Sequence, residues 1–224
     1  MSVKKARKMR KTLLNIGVGV LLLSALSACD KPADKPAPQP DKPPLQVAAP
    51  PAEPPAAPEP AAPEPPPGYK VTLQKGRIAF TLSENFTDQT AQSGAPDSGA
   101  DSTHLFINSQ SRQLVVFSLV APAAGQTLKN DSKGLDALGD EIFTGLSSQY
   151  QHIKQLQKQS INVGKLPVRR MDNELRVNGQ MVDSTLLYTV WHKKVLTLQI
   201  NTPASRGDEH AALLDRILTT LVLR

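Results

Sequence analysis

The hydrophobic and polar positions divide the chain into three stretches. Residues 13–26 are almost all apolar and carry no charge, whereas residues 30–67 hold nothing large and apolar beyond Leu45 and Val47. From Tyr69 onward the pattern becomes periodic. Alternation over 69–73 and 77–82, around Lys75-Gly76, predicts a hairpin. Residues 87–102 are rich in Gly, Ser, Asp and Ala and predict a long exposed loop. Strands are predicted at 104–108 and 113–120, on either side of the polar turn Ser109-Gln110-Ser111-Arg112.

Between residues 131 and 150, Leu135, Leu138, Ile142, Leu146 and Tyr150 recur at helical spacing, with Asp131 or Ser132 placed to cap the start. Gly134, Gly139 and Gly145 lie inside that helix. Each weakens it by about 1 kcal/mol relative to Ala, so the helix is expected to depend on tertiary packing. Four strand-like runs follow at 152–162, 166–177, 181–191 and 195–202. Asn178-Gly179 makes a tight turn because both residues tolerate positive φ, and His192-Lys193-Lys194 makes the next. An amphipathic helix over 207–221 presents Leu214, Ile217, Leu218 and Leu221. Hairpins in succession with two separate helices imply an α+β class: an antiparallel sheet flanked by helices. Residues 68–224 are enough for one domain with one core.

The apolar stretch near the start acquires a meaning from its flanks. Lys4, Lys5, Arg7, Lys8, Arg10 and Lys11 precede it without an acid among them. The run is too short for a comfortable membrane span and has the layout of a signal peptide covering residues 1–28. Leu26-Ser27-Ala28-Cys29 closes it and is similar to the bacterial lipobox. Small residues suit a peptidase groove, and the Cys29 thiolate is a nucleophile that a diacylglyceryl group can alkylate. Cys29 is the single cysteine of the chain, so no intrachain disulfide and no cysteine-based zinc site is expected. Acyl chains on Cys29, palmitate among them, would hold the protein to a membrane almost permanently. Asp30 resembles the sorting residue that retains lipoproteins at the periplasmic face of the inner membrane in preference to the outer membrane, although Lys31 is not the residue that strengthens retention.

Removal of the signal changes the charge. The intact chain is formally +6, but the signal contributes six of the 26 cations and none of the 20 acids, so the mature chain balances 20 against 20. No basic footprint for nucleic acid remains in the total. Residues 29–67 hold the lipidated N-terminus and a linker with 16 of the 20 prolines. Such a composition favours disorder or polyproline II and a reach on the order of 100 Å. A spacer is expected there rather than a ligand for a proline-reading groove.

Candidate chemistry is sparse. His104, His152, His192 and His210 fall in separate elements, without metal-ligand spacing, so no metal site is expected. Gly-x-Ser-x-Gly and the phosphate-binding glycine patterns are absent from the sequence, and Asp140-Glu141 reads as a solvated pair. No cofactor, no catalytic residue and no enzymatic activity are expected. Two places are singled out as a candidate partner surface. One is Thr87, Asp88 and Gln89 at a strand end; the other is Trp191 with Lys193 and Lys194, the only tryptophan beside two cations.

Gly76-Arg77-Ile78-Ala79-Phe80-Thr81-Leu82 with Phe86-Thr87-Asp88-Gln89, the run from Leu196 to Ala204, the ending from Ile217 to Leu223, and the opening signal with Ala28-Cys29-Asp30 together resemble the DcrB family of envelope lipoproteins. The resemblance implies a Mog1/PsbP-like α/β/α sandwich. It implies a non-enzymatic role in envelope integrity and lipoprotein maturation, exploited by certain phages for adsorption or DNA entry, with envelope proteins as partners. The long Pro/Ala linker departs from the family pattern. A periplasmic carrier with a small-molecule or lipid cleft is the alternative, and a deep apolar pocket would mark it.

Overall fold

The computed structural model describes residues 67–93, 101–123 and 125–224. The expected signal, the expected lipobox residues Leu26, Ser27 and Ala28, the expected lipidation site Cys29, the expected sorting residue Asp30 and the linker up to Pro66 lie outside the described residues.

The elements run β1 (Gly68–Leu73), β2 (Ile78–Ser83), β3 (Thr87–Asp88), β4 (Ser102–Asn108), β5 (Gln113–Val120) and α1 (Ser132–Gln149). They continue with β6 (Ile153–Val163), β7 (Leu166–Val177), β8 (Gln180–Trp191), β9 (Lys194–Pro203), α2 (Gly207–Thr220) and β10 (Val222–Leu223). Seven strands form one sheet in the order β3-β4-β5-β9-β8-β7-β6, and β1-β2-β10 form a second. Every pairing is antiparallel.

Alternation along the strands sorts side chains to the two faces of the large sheet. Leu187, Leu196, Leu198 and Ile200 point to one face and pack with Leu213, Leu214 and Ile217 of α2 and with Ile78, Phe80 and Leu82 of the small sheet. Leu186, Tyr188, Val190 and Val195 point to the other and pack under Leu135, Leu138, Ile142 and Leu146 of α1. The large sheet thus lies between α1 on one side and α2 with the small sheet on the other. Phe80 packs edge-on to Phe106 and stacks with Phe117, joining the two sheets through aromatic contacts. No described helix is long and apolar enough to cross a membrane.

Asp131 is the cap of α1: its carboxylate accepts the Gly134 N–H at 2.7 Å. The β7–β8 and β8–β9 connections are two-residue turns with positive φ at Asn178, Gly179, His192 and Lys193. That geometry matches the right-handed twist of the strands they join.

The expected hairpin over 69–82 forms as β1–β2 and lies in a separate small sheet. Its second strand is completed by β10, beyond the expected helix end, because Val222 and Leu223 find free backbone groups on Ala79 and Ile78. The loop expected from residue 87 begins instead with β3, whose backbone pairs with Ile107 and Phe106 along the edge of β4. Lys194 lies in β9 opposite Trp191 and is not a turn residue.

Candidate functional site

The face of the large sheet that meets α2 carries a run of polar groups within an otherwise apolar layer. Arg170 Nε donates to Asp172 Oδ1 at 2.9 Å, and the Thr185 hydroxyl donates to the same oxygen at 2.6 Å. With its proton committed there, Thr185 accepts from His210 Nε2–H at 2.9 Å. The other ring nitrogen, Nδ1, then accepts from the Thr202 hydroxyl at 3.0 Å. Gln113 Nε2 donates to Thr202 at 3.3 Å and to the Glu209 carbonyl at 3.1 Å, and Ser111 donates to Gln113 Oε1 at 2.8 Å. The commitment of the Thr185 proton to Asp172 places a proton on His210 Nε2, and burial favours the neutral ring with Nδ1 as acceptor. Burial lowers the His210 pKa, while Asp183 and Asp172 oppose that shift.

Asp172, Thr185 and His210 are the ingredients of a nucleophilic triad in the wrong order. An activated hydroxyl would give its proton to the imidazole, whereas this one gives it to the carboxylate. Thr185 and His210 are also buried. The arrangement clamps α2 to β5, β7, β8 and β9.

Under α1, Arg169 forms a second polar centre. Its guanidinium donates to Asp136 Oδ1 at 3.0 Å, to the Ser132 hydroxyl at 2.6 Å and to the Ser160 hydroxyl. Nearby, the fully buried Tyr188 hydroxyl has no hydrogen-bond partner among the described residues, and burial pushes its pKa up to about 12. An open groove of about 340 Å³ runs along the start of α1 and is lined by Gln126, Leu128, Lys129, Lys133, Leu138 and Glu141, among others. It lies at the small end of ligand-pocket volumes and has charged walls.

The residues singled out as a partner surface are not brought together. Thr87 pairs with Ile107, which faces Leu114 and through it Asn201, near the far end of β9 from Lys194. Thr87 donates to the Ile107 carbonyl at 3.2 Å, and Asp88 Oδ1 accepts the Thr90 N–H at 2.8 Å. These are local bonds that close a strand end. Gln89 adds to them, its N–H donating to the Leu105 carbonyl at 2.7 Å.

At the other end of the sheet, Trp191 is a core residue, 5% exposed. The Arg77 guanidinium lies over its ring at 5.1 Å, and His192 meets the ring edge-on. Trp191 is therefore corrected from a surface group to a buried anchor, which leaves Lys193 exposed in the turn and Lys194 half-buried beside it. The His210 centre was not foreseen. Its signal in the sequence is faint: Thr185 and Thr202 occupy inward positions of strands whose neighbours there are apolar.

No family model matches the chain. It is 22% identical over 157 residues, 70% of its own length and 79% of that of its relative, to the inner membrane lipoprotein DcrB of Shigella flexneri. Among solved structures, cyanobacterial PsbP from Synechocystis superposes with a TM-score of 0.52 at 11% identity, over 70% of this chain and 92% of that one. A variant of Mog1 gives a TM-score of 0.48 at 16% identity, over 70% of this chain and 96% of that one.

The domain is similar to DcrB in sequence and has a PsbP-like fold.

The likeness to DcrB supports an envelope lipoprotein. In this DcrB-like domain the network at His210 and the salt bridge at Arg169 hold α2 and α1 to opposite faces of one sheet.

Proposed function

We propose that the chain is a non-enzymatic protein of the periplasmic face of the inner membrane, anchored by acyl chains on Cys29 and acting through contacts with other envelope components. Within this reading it supports envelope integrity and lipoprotein maturation, and certain phages use it during adsorption or DNA entry. The observation that carries the proposal is the sequence likeness to DcrB over the folded domain, joined to a signal that ends in Leu26-Ser27-Ala28-Cys29. The hydroxyl–imidazole–carboxylate group at Thr185, His210 and Asp172 is committed to holding helix to sheet.

Intact mass of the protein purified from membranes tests the anchor. The expected mass lacks residues 1–28 and includes diacylglyceryl on Cys29; an unacylated mass that retains residues 1–28 would overturn it. Crosslinking in intact envelopes tests the mode of action. Reproducible adducts to envelope proteins, lost when the domain is unfolded by mutation, are expected, whereas turnover of a small-molecule substrate by the purified chain would replace this reading with an enzymatic one.

A further inference from the structure

The balanced charge of the mature chain conceals a segregation. Residues 68–224 carry 17 cations against 14 acids, and residues 30–67 carry three against six. Strand register divides the domain further. The turns β6–β7 and β8–β9 both close at the level of Trp191 and Lys194, because Val163 pairs with Leu166 and Trp191 with Lys194. The β1–β2 connection is brought to the same end by Gln74, which donates to Ser102 at 3.4 Å, and by Arg77 over Trp191. The start of α1 joins them through Thr189, which donates to Asn130 at 3.2 Å.

Four backbone connections therefore converge on one end of the domain, and each delivers cations. Lys75 and Arg77 come from the first, Lys129 and Lys133 from the approach to α1, Lys165 and Lys193 from the two hairpin turns. All six are exposed, and among the described residues no salt bridge holds them. The acids at this end are Asp101, Asp131 and Glu141; Asp131 caps α1, Asp101 accepts the Ala121 N–H, and Glu141 lines the groove beside Lys129 and Lys133 and accepts from Gln126, so six cations face three acids. The opposite end holds Asp183, Asp208 and Glu209 beside Arg112, Arg176 and Arg206. Lys75 and Lys193 sit at positive φ on turn tips, which projects them beyond the ends of the strands.

We propose that this basic end docks on the headgroups of an anionic phospholipid bilayer. The proposal rests on the membrane-anchored reading above, which sets a bilayer as the nearest large surface. Its chemistry is charge complementarity: lysines spread over several rigid turns suit a laterally extended array of phosphates better than one small anion. Linker length fits as well. The chain enters the domain at Gly68, at the end of β1 remote from the basic turns, so the tip faces the membrane only if the linker spans the domain. The ten residues of β9 extend about 33 Å. A proline-rich linker with a reach on the order of 100 Å exceeds that comfortably.

The test uses the unlipidated mature chain, residues 29–224 with Cys29→Ser, floated with vesicles of phosphatidylglycerol and phosphatidylethanolamine and with vesicles of phosphatidylcholine. Binding to the anionic vesicles alone, lost at high salt, is expected. Lys75→Glu, Lys165→Glu and Lys193→Glu combined should weaken partitioning on the order of a hundredfold, at about fivefold or more for each cation removed. Arg112→Glu with Arg176→Glu, at the other end, should leave it unchanged. Failure to bind anionic vesicles, or equal binding by the triple variant with an unaltered circular dichroism spectrum, overturns the proposal. So does capture of soluble polyglutamate without binding to vesicles, which would assign the surface to an acidic protein. An unacylated wild-type mass would remove the tether alone, because the flotation result does not depend on the lipid.

Discussion

The backbone of Gly139 in α1 lies directly over the hydroxyl of Tyr188 in β8, so close that a Cβ at 139 would overlap the oxygen. This contact explains a glycine in mid-helix and locates the closest approach of α1 to the sheet. Gly145, two turns later, has open space around the position of its missing Cβ. The two residues weaken the helix alike by propensity, yet only one is required by packing.

Gly139→Ala and Gly145→Ala should accordingly move stability in opposite directions. The first forces Tyr188 or α1 to shift, at about 1–3 kcal/mol of destabilisation. The second removes backbone freedom from the unfolded chain and should stabilise by about 1 kcal/mol or slightly less. Urea midpoints at constant slope check both; equal effects would show that close packing at 139 is not the reason for its glycine.

Tyr188→Phe removes a buried hydroxyl that has no partner among the described groups. No hydrogen bond is lost with it, so the variant should be neutral or more stable by about 1 kcal/mol. It should also relieve part of the cost of Gly139→Ala, since the clash is with the hydroxyl. A double-mutant cycle measures that coupling; a Tyr188→Phe loss above about 2 kcal/mol would reveal a hydrogen bond at this site.

His210 sets a pH dependence. Burial holds its pKa below the ordinary value, so between that lowered value and about 6.5 the unfolded chain binds a proton that the folded chain does not. Its contribution to stability is complete above about pH 6.5 and declines as the pH falls through this window, reaching a floor once the folded form is protonated too. Urea unfolding from pH 8 to pH 5 should show that decline, and His210→Gln should lack this component. A wild-type stability that rose on acidification through the window would contradict the neutral, Nε2-protonated histidine.

Arg169 and Arg206 form ion pairs of different worth. Arg169 is buried and bonded to Asp136, Ser132 and Ser160, whereas Arg206 pairs with Glu209 at 2.7 Å near solvent. Arg169→Ala removes a buried guanidinium and its three bonds and should cost about 1–2 kcal/mol, discounted because Asp136 is half exposed and Ser132 and Ser160 are exposed. Arg206→Ala should cost about 0.5 kcal/mol or less. Thermal unfolding of the two variants side by side separates them.

Elements were legible where local chemistry alone decides them. The alternating strands, the Asn178-Gly179 turn and the Asp131 cap follow from side-chain periodicity and from which residues tolerate a given φ. The resemblance carried by the stretches at Gly76, Leu196 and Ile217 also anticipated the fold. By itself, then, the sequence determined the order of elements, the α+β class and, through the reading at Cys29, the expected anchor. Only the tertiary structure decided that β1 and β2 leave the main sheet to pair with β10, that Trp191 is buried beneath Arg77, and that His210 meets Thr185 and Thr202 from three different elements. Segregation of charge between the two ends was decided there too. These are contacts between positions far apart along the chain. Their geometry depends on strand register and sheet order, which local periodicity leaves open.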